Sequence, residues 1–121
     1  MAKDDYDVIV YRVLVYLYAC LKREILFDRA VFDATVKKDV DSETYFLAVL
    51  KMMQKEGLIE GLTFVDAWGG DSILLSDLSN ASITSEGIHY LKENSVMRRV
   101  AEALKASVDI IANLADILQI L

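Results

Sequence analysis

The sequence predicts a mainly α-helical chain that carries one two-stranded β-hairpin and ends in a long helix. Three observations support this. Apolar residues recur at helical spacing through residues 5–22, 41–57 and 95–121. Two short apolar runs flank the Gly69–Gly70 pair. Finally, 121 residues include no proline and only five glycines, which leaves no candidate linker. A chain of this length builds one core. The expected organisation is a single compact unit, with a main domain over residues 1–94 and an amphipathic C-terminal helix over 95–121.

Residues 5–22, DYDVIVYRVLVYLYACLK, are rich in β-branched side chains, yet the run is far longer than the usual strand of about 5–6 residues. Ile9, Val13, Leu17, Cys20 and Leu21 recur at helical spacing behind the cap candidates Asp4 and Asp5. A shorter helix is expected over 28–37, capped by Asp28, with Val31, Phe32 and Val36 facing one way. In DSETYFLAVLKMMQKEG, residues 41–57, Asp41 or Ser42 caps the start, lysines occupy the end, and Gly57 terminates the helix. Phe46, Val49, Leu50 and Met53 form its inward stripe, leaving Thr44, Ala48, Lys51 and Lys55 outside.

LIEGLTFV and SILLSDL then read as the two strands of a hairpin, with Gly69 and Gly70 supplying the positive φ of a tight turn. In ITSEGIHYLKENS, Thr84 is placed to cap a helix from Ser85 to Asn94 with Ile88 and Leu91 inward, and Ser95 starts the last helix.

That last segment is expected to run unbroken to the C-terminus. Met97, Leu104, Ile111 and Leu118 form one series at seven-residue spacing, and Val100, Ser107, Leu114 and Leu121 form another. Val108, Ile110 and Ile117 widen the stripe. With 55% hydrophobic residues and a mean hydropathy of +0.32, the chain suggests apolar surface covered by a second copy. The expected partner is therefore a homodimer mate, held by Met97, Val100, Leu104, Ile111, Leu114, Leu118 and Leu121. The competing expectation folds this helix back onto the first one.

Three helices followed by a two-stranded wing is the order of a winged helix. Three stretches, DYDVIVYRVLVYLYACLK, EGLIEGLTFVDAWGGD and ITSEGIHYLKENSVMRR, resemble the YjcQ family of small bacterial and phage proteins. The most specific is the I-T-x-x-G-x-x-Y-L-x-E-N element formed by Ile83, Thr84, Gly87, Tyr90, Leu91, Glu93 and Asn94. The resemblance implies a winged-helix fold and an origin in Gram-positive bacteria or their mobile elements; it implies no activity.

A winged helix invites a DNA-binding reading in which the helix over 41–56 enters the major groove and Thr44, Ala48, Lys51 and Lys55 make the contacts. Charge disfavours it. Residues 1–56 hold nine Lys and Arg against ten acids, residues 57–91 hold none against five, and residues 92–121 hold four against four. A wing without a cation is repelled by phosphate. The hairpin suits a protein partner better, with Trp68 as anchor and Asp66 and Asp71 selecting a basic surface. The alternative is that Trp68 folds back to close the core.

Nothing in the sequence assembles an enzyme. The single histidine, His89, has no Cys or His at ligand spacing, and no glycine-rich phosphate loop precedes a lysine and a helix, so neither metal nor cofactor is expected. Cys20, alone in an apolar pattern, reads as a buried structural thiol. The uncharged stretch Val13–Leu21 falls short of the ~20 residues of a membrane span, and MAKDDYD is acidic where an export signal would be basic, so a cytoplasmic location is expected. The function expected from sequence is a noncatalytic regulatory or adaptor module acting through protein–protein contacts, with DNA binding as the alternative.

Overall fold

A computed structural model describes residues 2–120. It is mainly α, with a small hairpin, as the periodicity predicts. Helix α1 (Tyr6–Leu21) is its axis. Every residue from Val8 to Ala19 is buried, including Arg12. A helix that is apolar on all sides must be enclosed on all sides, and α1 packs against α3, α4, α5, α6 and a strand, with α2 reaching it through an aromatic contact. Its β-branched content, which by propensity disfavours a helix, is overridden by this packing.

Helix α2 (Arg29–Thr35) begins where the Asp28 carboxylate accepts from the Val31 amide at 3.1 Å. Phe32 and Val36 are buried, whereas Val31, expected beside them, is 47% exposed. Phe32 packs edge-on against Tyr16 and Phe46, tying α2 to α1 and α3. Helix α3 (Glu43–Lys55) is capped by Ser42, whose hydroxyl accepts from the Tyr45 amide, and it buries the predicted stripe of Phe46, Val49, Leu50 and Met53.

The hairpin is shorter than the sequence suggests. β1 (Ile59–Glu60) does not continue into β2 (Phe64–Asp66) but pairs with β4 (Ser82–Ile83), while β2 pairs with β3 (Ser72–Leu74). The division falls at Gly61, whose φ of +98° turns the chain and brings its Cα under the Asn80 carbonyl, so close that a Cβ would sit 2.2 Å from that oxygen.

Helix α4 (Ser85–Glu93) starts at Thr84, which accepts from the Gly87 amide at 2.9 Å and donates to the Gly57 carbonyl at 2.5 Å. Gly87 lets α4 sit directly on β1: a Cβ there would lie 2.2 Å from the Leu58 carbonyl oxygen. Asn94 then caps α5 (Ser95–Ala106) through the Val96 and Met97 amides.

The unbroken C-terminal helix is not observed. α5 ends at Ala106 and α6 runs from Ile110 to Ile117. Between them the Asp109 amide donates back to the Leu104 carbonyl, Val108 takes φ of +58°, and the Asp109 carboxylate caps α6 at the Ile111 amide. The chain thereby folds back, and both helices pack on α1. The residues expected to hold a second chain are core residues of this one. Met97, Val100, Leu104, Ile111 and Leu118 are buried and Leu114 is half-buried, while Leu121 lies outside the described residues. The physical reason is the enclosed α1: its last open faces need the stripe that the heptads offer.

Arg12 secures this arrangement. Its guanidinium lies 3.0 Å from the Asp39 carboxylate in the α2–α3 loop and donates to Asp109 at 2.8 Å; Lys38 reaches Asp109 at 3.2 Å. One buried cation thus pins two loops to the central helix.

Candidate functional site

The β2–β3 hairpin projects from the body beside α3. In its turn, Gly69 and Gly70 hold φ of +84° and +83°, conformations unfavourable for a side chain with a Cβ. Alternation fixes its two faces. Phe64 and Leu74 pack inward on the core, and Asp66 and Ser72 turn toward α3, where both bond Lys51 Nζ at 3.1 and 3.0 Å. The outer face is the reverse of a usual wet face. Val65 and Ile73 are cross-strand partners, and both are exposed together with Leu75. At the tip Trp68 is 100% exposed.

Of the sequence-predicted hairpin residues, Trp68 and Asp71 stand free at the tip, whereas Asp66 is occupied by Lys51. Trp68 does not fold back. Val65, Ile73 and Leu75 were missed because FVD and SILL are apolar at both parities, so the sequence does not say which parity faces out. The one available signal was that a two-stranded hairpin with both faces apolar covers only one of them.

The outer face of α3 carries the expected residues. Thr44, Ala48, Lys51 and Lys55 are all exposed, and Lys51 pairs with Asp66 of the hairpin. Two lysines that precede the helix are also occupied: Lys37 pairs with Glu43 and Lys38 with Asp109. The cations available to a phosphate backbone on this side are therefore fewer than the sequence count.

Elsewhere, a cleft of about 660 Å³ is lined by residues that include Tyr6, Glu56, Glu86, His89, Tyr90 and Glu93. Burial, followed by the neighbouring carboxylates and the facing phenol, raises the phenol pKa of Tyr6; burial and then Asp7 and Glu56 raise that of Tyr90. His89 is exposed and lies 3.9 Å from Glu93. Among the described residues no group of three His, Cys, Asp or Glu is positioned to hold a metal ion. Cys20 is half-buried, and burial raises its thiol pKa against the opposing pull of Arg23. No helix among the described residues is long and apolar enough to cross a membrane.

No curated protein and no solved structure matches the chain. The family comparison is positive: the YjcQ protein family matches residues 11–110, a span from the second turn of α1 through the Arg12–Asp109 contact to the first residue of α6. This span includes the Thr84-capped helix, the hairpin and the buried ion pair, and the chain belongs to the YjcQ family.

Proposed function

We propose that this protein is a noncatalytic adaptor or regulatory module of winged-helix type, acting in the cytoplasm by binding a basic protein partner with the outer face of its hairpin. The observation that carries this reading is the apolar ladder of Val65, Ile73 and Leu75 crowned by a fully exposed Trp68. Tryptophan is enriched among interface anchors, and an apolar patch rimmed by charge is the usual form of a docking surface. The partner's charge follows from residues 57–91, which hold five acids and no cation. Among the described residues no cation pairs with Asp71 at the tip, so it selects a basic rim around the pocket that receives Trp68.

DNA binding through α3 is the second reading, supported by the exposure of Thr44, Ala48 and Lys55. It is the weaker of the two, because Lys51, central to that face, bonds Asp66 and Ser72 of the hairpin.

The two readings separate in one pair of measurements. A low-salt mobility assay with random duplex DNA is expected to show no retardation of the folded protein. A protein captured on the immobilised chain, identified and purified, is expected to lose at least about fivefold in affinity against Trp68→Ala, a loss of >1 kcal/mol. Retardation that Lys51→Glu abolishes would reverse the order of the readings; affinity unchanged by Trp68→Ala would remove the hairpin as the docking surface.

A further inference from the structure

A second uncovered apolar surface lies on α6, independent of the hairpin. Ile110 and Ile117 stand at helical spacing on the side turned away from the buried Ile111, Ala112, Ala115 and Leu118, with Leu114 between them half-buried against the core. Ile110 and Ile117 are 59% and 62% exposed, and Val108, just before the helix, is 77% exposed. Val108 also holds φ of +58°, a left-handed conformation that β-branched residues rarely adopt. An apolar side chain in solvent on a strained backbone is unfavourable on both counts within the single chain, and strain of this kind concentrates at contact and switch sites.

Two features point to what covers this surface. The first is charge. Residues 92–121 carry four cations and four anions, whereas the chain as a whole has a net charge of −6. Two copies therefore meet there without the repulsion that the five uncompensated acids of residues 57–91 would impose. The second is symmetry. Leu114 lies between Ile110 and Ile117, so the stripe reads Ile, Leu, Ile in either direction. A two-fold axis at Leu114 sets Ile110 of each copy against Ile117 of the other, which is the self-complementarity an isologous interface requires.

We propose that the outer stripe of α6, with Val108 at its edge, is a homodimer interface in which the two α6 helices pack antiparallel about a two-fold axis at Leu114. It uses Ile110 and Ile117, which lie outside the heptad series that the core has consumed, with Leu114 of that series half-buried at its inner edge.

The test is sedimentation equilibrium of the full chain from micromolar to millimolar concentration. The weight-average mass is expected to rise from 13.6 kDa toward twice that value. Ile110→Lys and Ile117→Glu should each hold the mass at the monomer value while keeping the native circular dichroism and thermal transition, since both side chains are exposed. Mixing the two variants should restore the dimer, because the introduced charges meet across the axis. A monomer at every concentration would overturn the proposal, as would a dimer indifferent to either substitution. Failure of the mixture to restore the dimer would overturn the antiparallel arrangement. If the chain stays monomeric and these substitutions instead abolish binding of a hairpin partner, the stripe belongs to that partner and the dimer is refuted.

Discussion

Arg12, fully shielded from solvent in the middle of α1, donates a 2.8 Å hydrogen bond to Asp109, the same carboxylate that caps α6 at the Ile111 amide. The two residues are 97 positions apart. Removing one partner of such a pair leaves the other charged and dry, at a cost of about 3–5 kcal/mol, whereas replacing both with neutral groups of similar shape costs much less. Asp109→Asn should therefore be strongly destabilising in urea unfolding, and Arg12→Met combined with Asp109→Asn should recover much of the loss. Additive losses in the double variant would show that the two residues act separately.

The same carboxylate sets an acid limit. Burial opposes its ionisation, but the Ile111 amide, Arg12 and Lys38 together outweigh burial and hold the Asp109 pKa below its ordinary value of 3.8. A carboxyl with a lowered folded pKa contributes stability that is whole above the unfolded value and is lost as pH falls through the folded one. The wild-type denaturation midpoint is expected to fall below about pH 4 more steeply than that of Asp109→Asn. Parallel acid limbs would assign the loss to other carboxylates.

An alkaline limit comes from Tyr11. Burial, then Asp116 and Asp109, push its phenol from 10.0 up to about 12. Because the folded pKa is the higher one, the associated stability is complete below pH 10 and disappears as pH rises toward 12. Ultraviolet titration should show one tyrosine ionising late, together with unfolding, and Tyr11→Phe should remove that late step.

Gly87→Ala tests the seat of α4 on β1. Alanine improves helix propensity by about 1 kcal/mol, but the new Cβ would lie 2.2 Å from the Leu58 carbonyl oxygen and 2.9 Å from the Ile83 side chain. The backbone must move, and such overpacking typically costs about 1–3 kcal/mol. The expected net result is a lower melting temperature; a rise would mean that α4 shifts freely on the strand.

Trp68 is its own reporter. As the single tryptophan and a fully exposed one, it should emit in the native protein at nearly the same wavelength as in the unfolded protein, and acrylamide should quench it in both states. Trp68→Ala should change stability by no more than about 0.5 kcal/mol. A blue-shifted native spectrum would place the ring against protein.

Helix α3 and the Thr84 cap were legible because their signals are local: a one-sided apolar stripe and a hydroxyl three residues before Gly87. α1 was legible as a helix but not as the centre, since periodicity marks a buried side only when another side is polar. Arg12 gave no local sign of burial, because its partners, Asp39 and Asp109, come from distant loops. The break at Val108 was invisible for a related reason. The heptads run through it, and a valine in the left-handed region looks in sequence like one more apolar residue. At the hairpin, Trp68 and the absence of cations could be read directly, but the pairing of Asp66 with Lys51 could not, since it depends on how the hairpin leans on α3.

The enclosure of α1 by α5 and α6 has a consequence for synthesis. Helix α1 is made before the segments that shelter it, so its apolar sides and Arg12 stay open until α5 and α6 have followed. Contacts of such long sequence separation form slowly, and an incomplete chain exposes surface that favours aggregation. The central helix therefore gains its full cover only once α6 has been made, and a transcript cut short before Asp109 yields a chain in which Arg12 keeps Asp39 but lacks its shorter, buried contact.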